Sequence, residues 1–138
     1  MILDATNIIM GRLASFAAKQ AQLGETVEII NCEKAIITGN KYTTFDDHKV
    51  KLKRGSKSTG PFTNRTADRF VKRAIRGMLN YKRENGMKSF KRIKCYIGVP
   101  ESFKDKKPEA LKKMDITKLS ILKYTTVKDV CKIIGGKL

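Results

Sequence analysis

Apolar residues along this chain change period several times, and each change marks an element. Met1-Ile2-Leu3-Asp4-Ala5 is a short apolar run that predicts a strand. Leu13, Phe16, Ala17 and Ala21 then recur at helical spacing and predict a helix over 11–23. Gly24 stops it, because glycine accepts the left-handed conformation that follows a helix end. Val27-Glu28-Ile29-Ile30-Asn31 is more continuous than alternating, the pattern of a buried parallel strand. Strand, helix and strand with short links imply a right-handed crossover and an α/β sheet.

Ala35 to Asn40 reads as a short apolar turn of helix or as a strand, closed by Gly39-Asn40. In His48 to Lys53, Val50 and Leu52 alternate with Lys49, Lys51 and Lys53, which predicts a two-faced strand. Gly55, Gly60-Pro61 and several Ser/Thr mark 54–66 as a loop. The clearest periodicity lies in 67–79. Ala67, Phe70, Val71, Ala74, Ile75, Met78 and Leu79 form one helical face, and Arg69, Lys72, Arg73 and Arg76 form another. Thr66 is the expected N-cap, and Asp68 suits the positive end of the helix dipole. The turn signal Asn85-Gly86 marks 80–92 as a second basic loop. A strand over 93–98, a charged linker over 101–113 and a helix from Thr126 follow; Val127, Val130, Cys131 and Ile134 line that helix and Gly135 ends it. There is no internal repeat, and 138 residues suit a single α/β domain.

Charge changes the picture. Residues 1–40 carry three basic and four acidic side chains, residues 41–94 carry 17 and four, and residues 95–138 carry 10 and five, within a total of +17. The first block reads as scaffold and the middle block, at +13, as a contact surface for a polyanion. On the 67–79 helix, Arg69/Arg73 and Lys72/Arg76 are like-charge pairs at i,i+4, as is Arg65/Arg69 just before it. Such pairs cost an isolated helix stability, so an anion is expected there, nucleic acid above all. The expected contact residues are Arg12 on the first helix, then Lys41, Lys53, Arg54, Lys57 and Arg65. Arg69, Lys72, Arg73 and Arg76 continue the set, followed by Lys82, Arg83, Lys88, Lys91 and Arg92. The lysines of 49–53 read equally as an edge protected against aggregation. Tyr81 and Phe62, inside basic loops, are candidates for stacking on bases.

Catalytic and metal chemistry find little purchase. His48 is the single histidine, sits among lysines, and reads as a surface or RNA-contacting residue. Cys32, Cys95 and Cys131 are odd in number, lack zinc-site spacing, and fit reduced, small buried hydrophobes. Gly39-Asn40-Lys41 lacks the spacing of a phosphate loop, and no cofactor is expected. No apolar run approaches the roughly 20 residues of a membrane span. Met1 to Asp4 shows no signal-peptide features, so the chain is expected in the cytosol.

Four blocks also carry a resemblance. They are Asp4-Ala5-Thr6 with Gly11 to Ser15 and Ala18-Lys19; Val27 to Asn31 with Ala35 to Lys41; Ala74 to Leu79; and Phe90 to Pro100. In order and spacing these resemble the ribosomal protein L13 (uL13) family, in a form that looks archaeal or eukaryotic, with an archaeal length. The resemblance covers about residues 1–100 and leaves 101–138 as a variable C-terminal tail. It implies a three-layer α/β/α fold around a four-stranded, mostly parallel sheet, with basic loops and a helical tail. It further implies binding to large-subunit ribosomal RNA beside neighbouring ribosomal proteins, an early structural role in assembly, and no catalytic residues. Asn80 departs from the proline usual after Gly-Met-Leu. Two other readings remain: a nucleotide-dependent enzyme on an α/β fold, and a basic regulatory module acting off the ribosome.

Overall fold

The computed structural model describes every residue except 57, 105, 110, 112, 113, 120, 121, 137 and 138. In chain order the elements are β1 (Ile2–Asp4), α1 (Met10–Gln22), β2 (Val27–Ile30), β3 (Ile36–Thr38), α2 (Lys41–Lys53), α3 (Ala67–Gly77), α4 (Glu84–Lys91), β4 (Ile93–Cys95), β5 (Tyr124–Thr126) and α5 (Val127–Ile133).

β2 is the central strand of a parallel sheet. Leu3 of β1 lies opposite Ile29, and Ile29 lies opposite Cys95 of β4. Parallel neighbours need a crossover, and α1 supplies the first. Val27, Ile29 and Ile30 are all buried, which is why β2 reads as a continuous apolar run. α1 turns Leu13, Ala14, Ala17, Ala18 and Ala21 inward, and four alanines on one face let it approach its neighbours closely. Gly24, at a φ of 105°, takes the left-handed position just past its end. α1 packs on α3 and α4, and α5 returns Val127 and Cys131 to the same core. Thr126 caps α5, its hydroxyl accepting from the Asp129 N–H at 3.2 Å.

Several sequence expectations are corrected. The span 48–53 is not a strand but the second half of α2. The Asn40 side chain accepts from the Tyr42 N–H at 3.1 Å and starts the helix. No residue of α2 is buried, so the helix has no apolar stripe to betray its period. The span 80–92 is not all loop, because α4 occupies most of it. Gly86 there serves close approach rather than a turn: a side chain at that position would collide with the Asn80 carbonyl. On α3 the buried positions are Ala67, Val71 and Ile75, with Leu79 just beyond. Phe70 and Ala74 are half-buried and Met78 is exposed, since α1 covers a narrower stripe than the sequence offers. Thr66 stands at the N-cap position but its side chain makes no capping bond.

The sheet also differs from the four strands expected. Three strands pair in parallel among the described residues. β3 pairs antiparallel with β5 in a separate ribbon, Ile36 opposite Thr126 and Thr38 opposite Tyr124. Its flanks fix it there: the Ile36 N–H donates to the Ile8 carbonyl and the Val127 N–H to the Ala35 carbonyl, both at 2.9 Å. At the outer edge of β1, Glu109 bridges Leu3 in parallel and its N–H donates to the Ile2 carbonyl at 2.8 Å.

Candidate nucleic-acid interface

Burial of Ala67, Val71 and Ile75 fixes the rotation of α3 and so turns Arg69, Lys72, Arg73 and Arg76 outward. Three of these cations are held by contacts that leave their charge intact. Lys72 Nζ lies 5.1 Å from the Phe90 ring centroid and the Arg76 guanidinium 4.9 Å from that of Tyr81. Arg73 Nη1 donates to the Phe62 carbonyl at 3.3 Å. Tyr81 and Phe62, expected as stacking candidates, therefore serve first to position α3 cations. Both still expose ring surface, Phe62 at 72%.

Three hollows run along this stripe. One of about 230 Å³ lies between Asn64, Phe90 and all four cations. Another of about 350 Å³ adds Lys94 and Tyr96 to Arg69 and Lys72. The largest, about 380 Å³, joins Arg73 to Lys51, Arg54 and His48 of the α2 side. Three ion pairs form among the described residues: Lys88–Glu84 at 2.7 Å, Lys94–Glu28 at 4.0 Å and Lys104–Glu101 at 3.8 Å. None involves the α3 stripe.

The other expected contact residues scatter around it. Arg65 is exposed just ahead of α3, Lys82 and Arg83 are exposed before α4, and Lys91 is exposed at its end. Lys53 and Arg54 close α2, while Lys41 opens it, about 18 Å away along the axis. Arg12 is exposed on α1. Three are engaged with the protein among the described residues: Lys41 over the Phe45 ring at 5.5 Å, Lys88 with Glu84, and Arg92, whose Nη1 donates to the Ala21 carbonyl at 3.2 Å at the end of α1. Lys57 lies outside the described residues. The sequence reading missed Lys51 and Lys94 as neighbours of the stripe. His48, Lys51 and Arg54 recur every third residue, a helical spacing that was present in the sequence beneath the short alternation.

The titratable groups offer no catalytic arrangement among the described residues. The His48 ring lies 5.4 Å from the Phe70 centroid, tilted by 58°. Burial and the Lys51 charge lower its pKa from 6.5, against the opposing pull of Asp47. Burial would raise the Asp4 pKa, but hydrogen bonds from Thr6 and Asn31, with Lys34 nearby, leave it lowered. Cys32 and Cys131 are buried and Cys95 half-buried, all as free thiols. A hydrogen bond with Cys95 and burial push the Cys32 pKa up, and burial with Asp68 pushes Cys131 to about 11. Among the described residues, no group of three or more His, Cys, Asp or Glu could hold a metal ion.

An α/β scaffold whose exposed helix faces present cations without carboxylate partners among the described residues defines a class: strongly basic scaffold proteins. Residues 1–102 match the family model described as ribosomal protein L13. The large ribosomal subunit protein uL13 of Methanococcoides burtonii is 42% identical over 136 residues, covering 99% of this chain and 98% of that protein. Its counterpart in Methanosarcina barkeri is 41% identical, with 99% and 98% covered. That of Halobacterium salinarum is 33% identical, with 100% and 92% covered. The chain belongs to the ribosomal protein L13 family. It is a structural ribosomal protein and not an enzyme, and its place is the cytoplasm, as part of the ribosome. The nucleotide-dependent enzyme weighed from the α/β opening is thereby set aside.

Proposed function

We propose that the chain binds large-subunit ribosomal RNA through the α3 stripe and stabilises it during assembly. The observation that carries this reading is the stripe itself. Lys72, Arg73 and Arg76 are held in place by rings and a carbonyl, Arg69 stands exposed beside them, and no carboxylate pairs with any of the four among the described residues. Fixed cations of that kind lose little freedom on meeting phosphates and release condensed counterions when they do. Arg54, Arg65, Lys82, Arg83 and Lys91 extend the surface, with Lys51 and Lys94 added to it; Arg12, Lys41 and Lys53 supply outlying contacts. Arg92 and Lys88 serve the fold in this reading. Backbone shape is read more than base identity, as phosphate contacts dominate. Other large-subunit proteins are the expected neighbours.

In the same reading residues 1–138 act as one domain. The tail is bound into it by α5 and by the parallel bridge from Glu109 to Leu3, which supports a four-stranded sheet in a three-layer arrangement as the family resemblance implies. The test is sedimentation of tagged protein from cells. The wild type is expected in the large-subunit fraction, and Arg69→Glu with Arg73→Glu, folded by circular dichroism, is expected to leave it. Unchanged sedimentation of that variant would overturn the assignment of α3.

A further inference from the structure

We infer that the cavity between the His48–Arg54 end of α2, the Pro61 to Asn64 stretch and α3 is a pocket for one unpaired nucleotide of the bound RNA. The base would sit against Phe70 and the phosphate against Lys51, Arg54 and Arg73. The inference rests on the RNA-binding reading above and gives one part of that surface a defined ligand. At about 380 Å³ the cavity has the size of a small-ligand site. Met10, Pro61, Phe70 and Ala74 line it with apolar surface, and among the described residues three cations and no carboxylate ring it. A row of duplex phosphates would need the cations but not the apolar floor. A neutral apolar molecule would need the floor but not the cations. A planar base joined to a phosphate uses both.

The polar groups between floor and rim suit a base edge. Thr63, Asn64 and His48 line the same cavity. Burial and Lys51 keep His48 neutral near pH 7, so one ring nitrogen donates and the other accepts. The ring is positioned by Phe70, and Arg73 by the Phe62 carbonyl, so the pocket is built before any RNA arrives. Proteins read RNA sequence mainly at unpaired bases stacked on aromatic rings, because the deep groove of a paired helix is closed to side chains. Phe70 and Ala74 belong to the apolar face of α3 by spacing yet stay half-buried. The cavity is where that unburied apolar surface lies.

His48 is the one histidine of the chain, so its ring-proton resonances report on the pocket without a substitution. The probes are an RNA hairpin with a single bulged adenosine, the same stem fully paired, and adenosine monophosphate. The wild type is expected to bind the bulged hairpin about 5- to 150-fold more tightly than the paired stem, the range of one base–aromatic stack. The His48 resonances should move with the bulged hairpin and stay with the paired stem. Ala74→Leu fills the cavity without changing charge; it should remove the preference while the paired stem binds as before. Equal affinities for the two RNAs with unmoved His48 resonances would overturn the pocket and leave salt-dependent RNA binding standing. Absence of salt-dependent binding to either RNA would overturn both readings. Adenosine monophosphate moving the resonances as strongly as the bulged hairpin at equal concentration would make this a free-nucleotide site and overturn the assignment to RNA.

Discussion

Arginines that look alike in the sequence do different work in the fold. Arg92 donates to the Ala21 carbonyl at the end of α1, where the last-turn carbonyls lack full helical partners and the negative end of the helix dipole favours a cation; the same carbonyl accepts from the Gly24 N–H at 3.3 Å. Arg69 is exposed and makes no comparable bond among the described residues. Arg92→Ala is therefore expected to cost about 1.5–3 kcal/mol of stability by denaturant melting, the range for hydrogen bonds to charged groups. Arg69→Ala should leave the melting midpoint unchanged and weaken RNA binding. His48 gives a pH signature at the same scale. Its folded pKa lies below 6.5, so the unfolded chain binds more protons between the two values. The contribution is fully present above pH 6.5 and is lost as pH falls through the lowered value. The urea midpoint should fall from pH 7 to pH 5, and His48→Phe should flatten that window. Asp4, shifted down from 3.8, acts below it.

At the scale of elements, α3 divides cleanly by depth. Ile75 is fully buried and Phe70 half-buried against His48. Ile75→Ala is expected to cost about 2–5 kcal/mol, and Phe70→Ala less than the ~3–5 kcal/mol of a buried phenylalanine. Equal losses in chemical denaturation would contradict this ordering. α3 was legible in the sequence because Ala67, Val71, Ile75 and Leu79 repeat every fourth residue, and its cationic stripe was legible by the same count. α2 was not, because Lys41 to Lys53 buries nothing and its register depends on the Asn40 cap. α4 was hidden by Asn85-Gly86, a turn signal locally, whose glycine answers to the Asn80 carbonyl six residues earlier. The pairing of β3 with β5 joins residues almost ninety positions apart in a two-stranded ribbon, which no local pattern encodes. For the same reason the meeting of Lys51 and Arg54 with Arg73 required the fold.

For the whole molecule the distribution of charge matters more than its total. Scaffold residues 1–40 are close to neutral, and the +13 of 41–94 is gathered on α2, α3, α4 and their links. With ~6–10 phosphates contacted, RNA affinity is expected to fall roughly 10³–10⁵-fold between 50 and 200 mM salt. Filter-binding titrations across that range check the slope. A flat dependence would mean that this surface meets no phosphate backbone.

α2 spans 13 residues and buries no side chain, so little holds it closed against local opening. Opening of such a helix needs far less free energy than unfolding the core, and proteases cut what opens. The five lysine and arginine positions from Lys41 to Arg54, four of them in the last six residues, are cleavage sites for trypsin. Limited digestion of the free protein should nick 41–54 first, while α1 and β2 stay intact, and RNA should slow that first cut. The lifetime of an unassembled copy is then set by this one segment, and occupancy of the ribosome becomes what protects it.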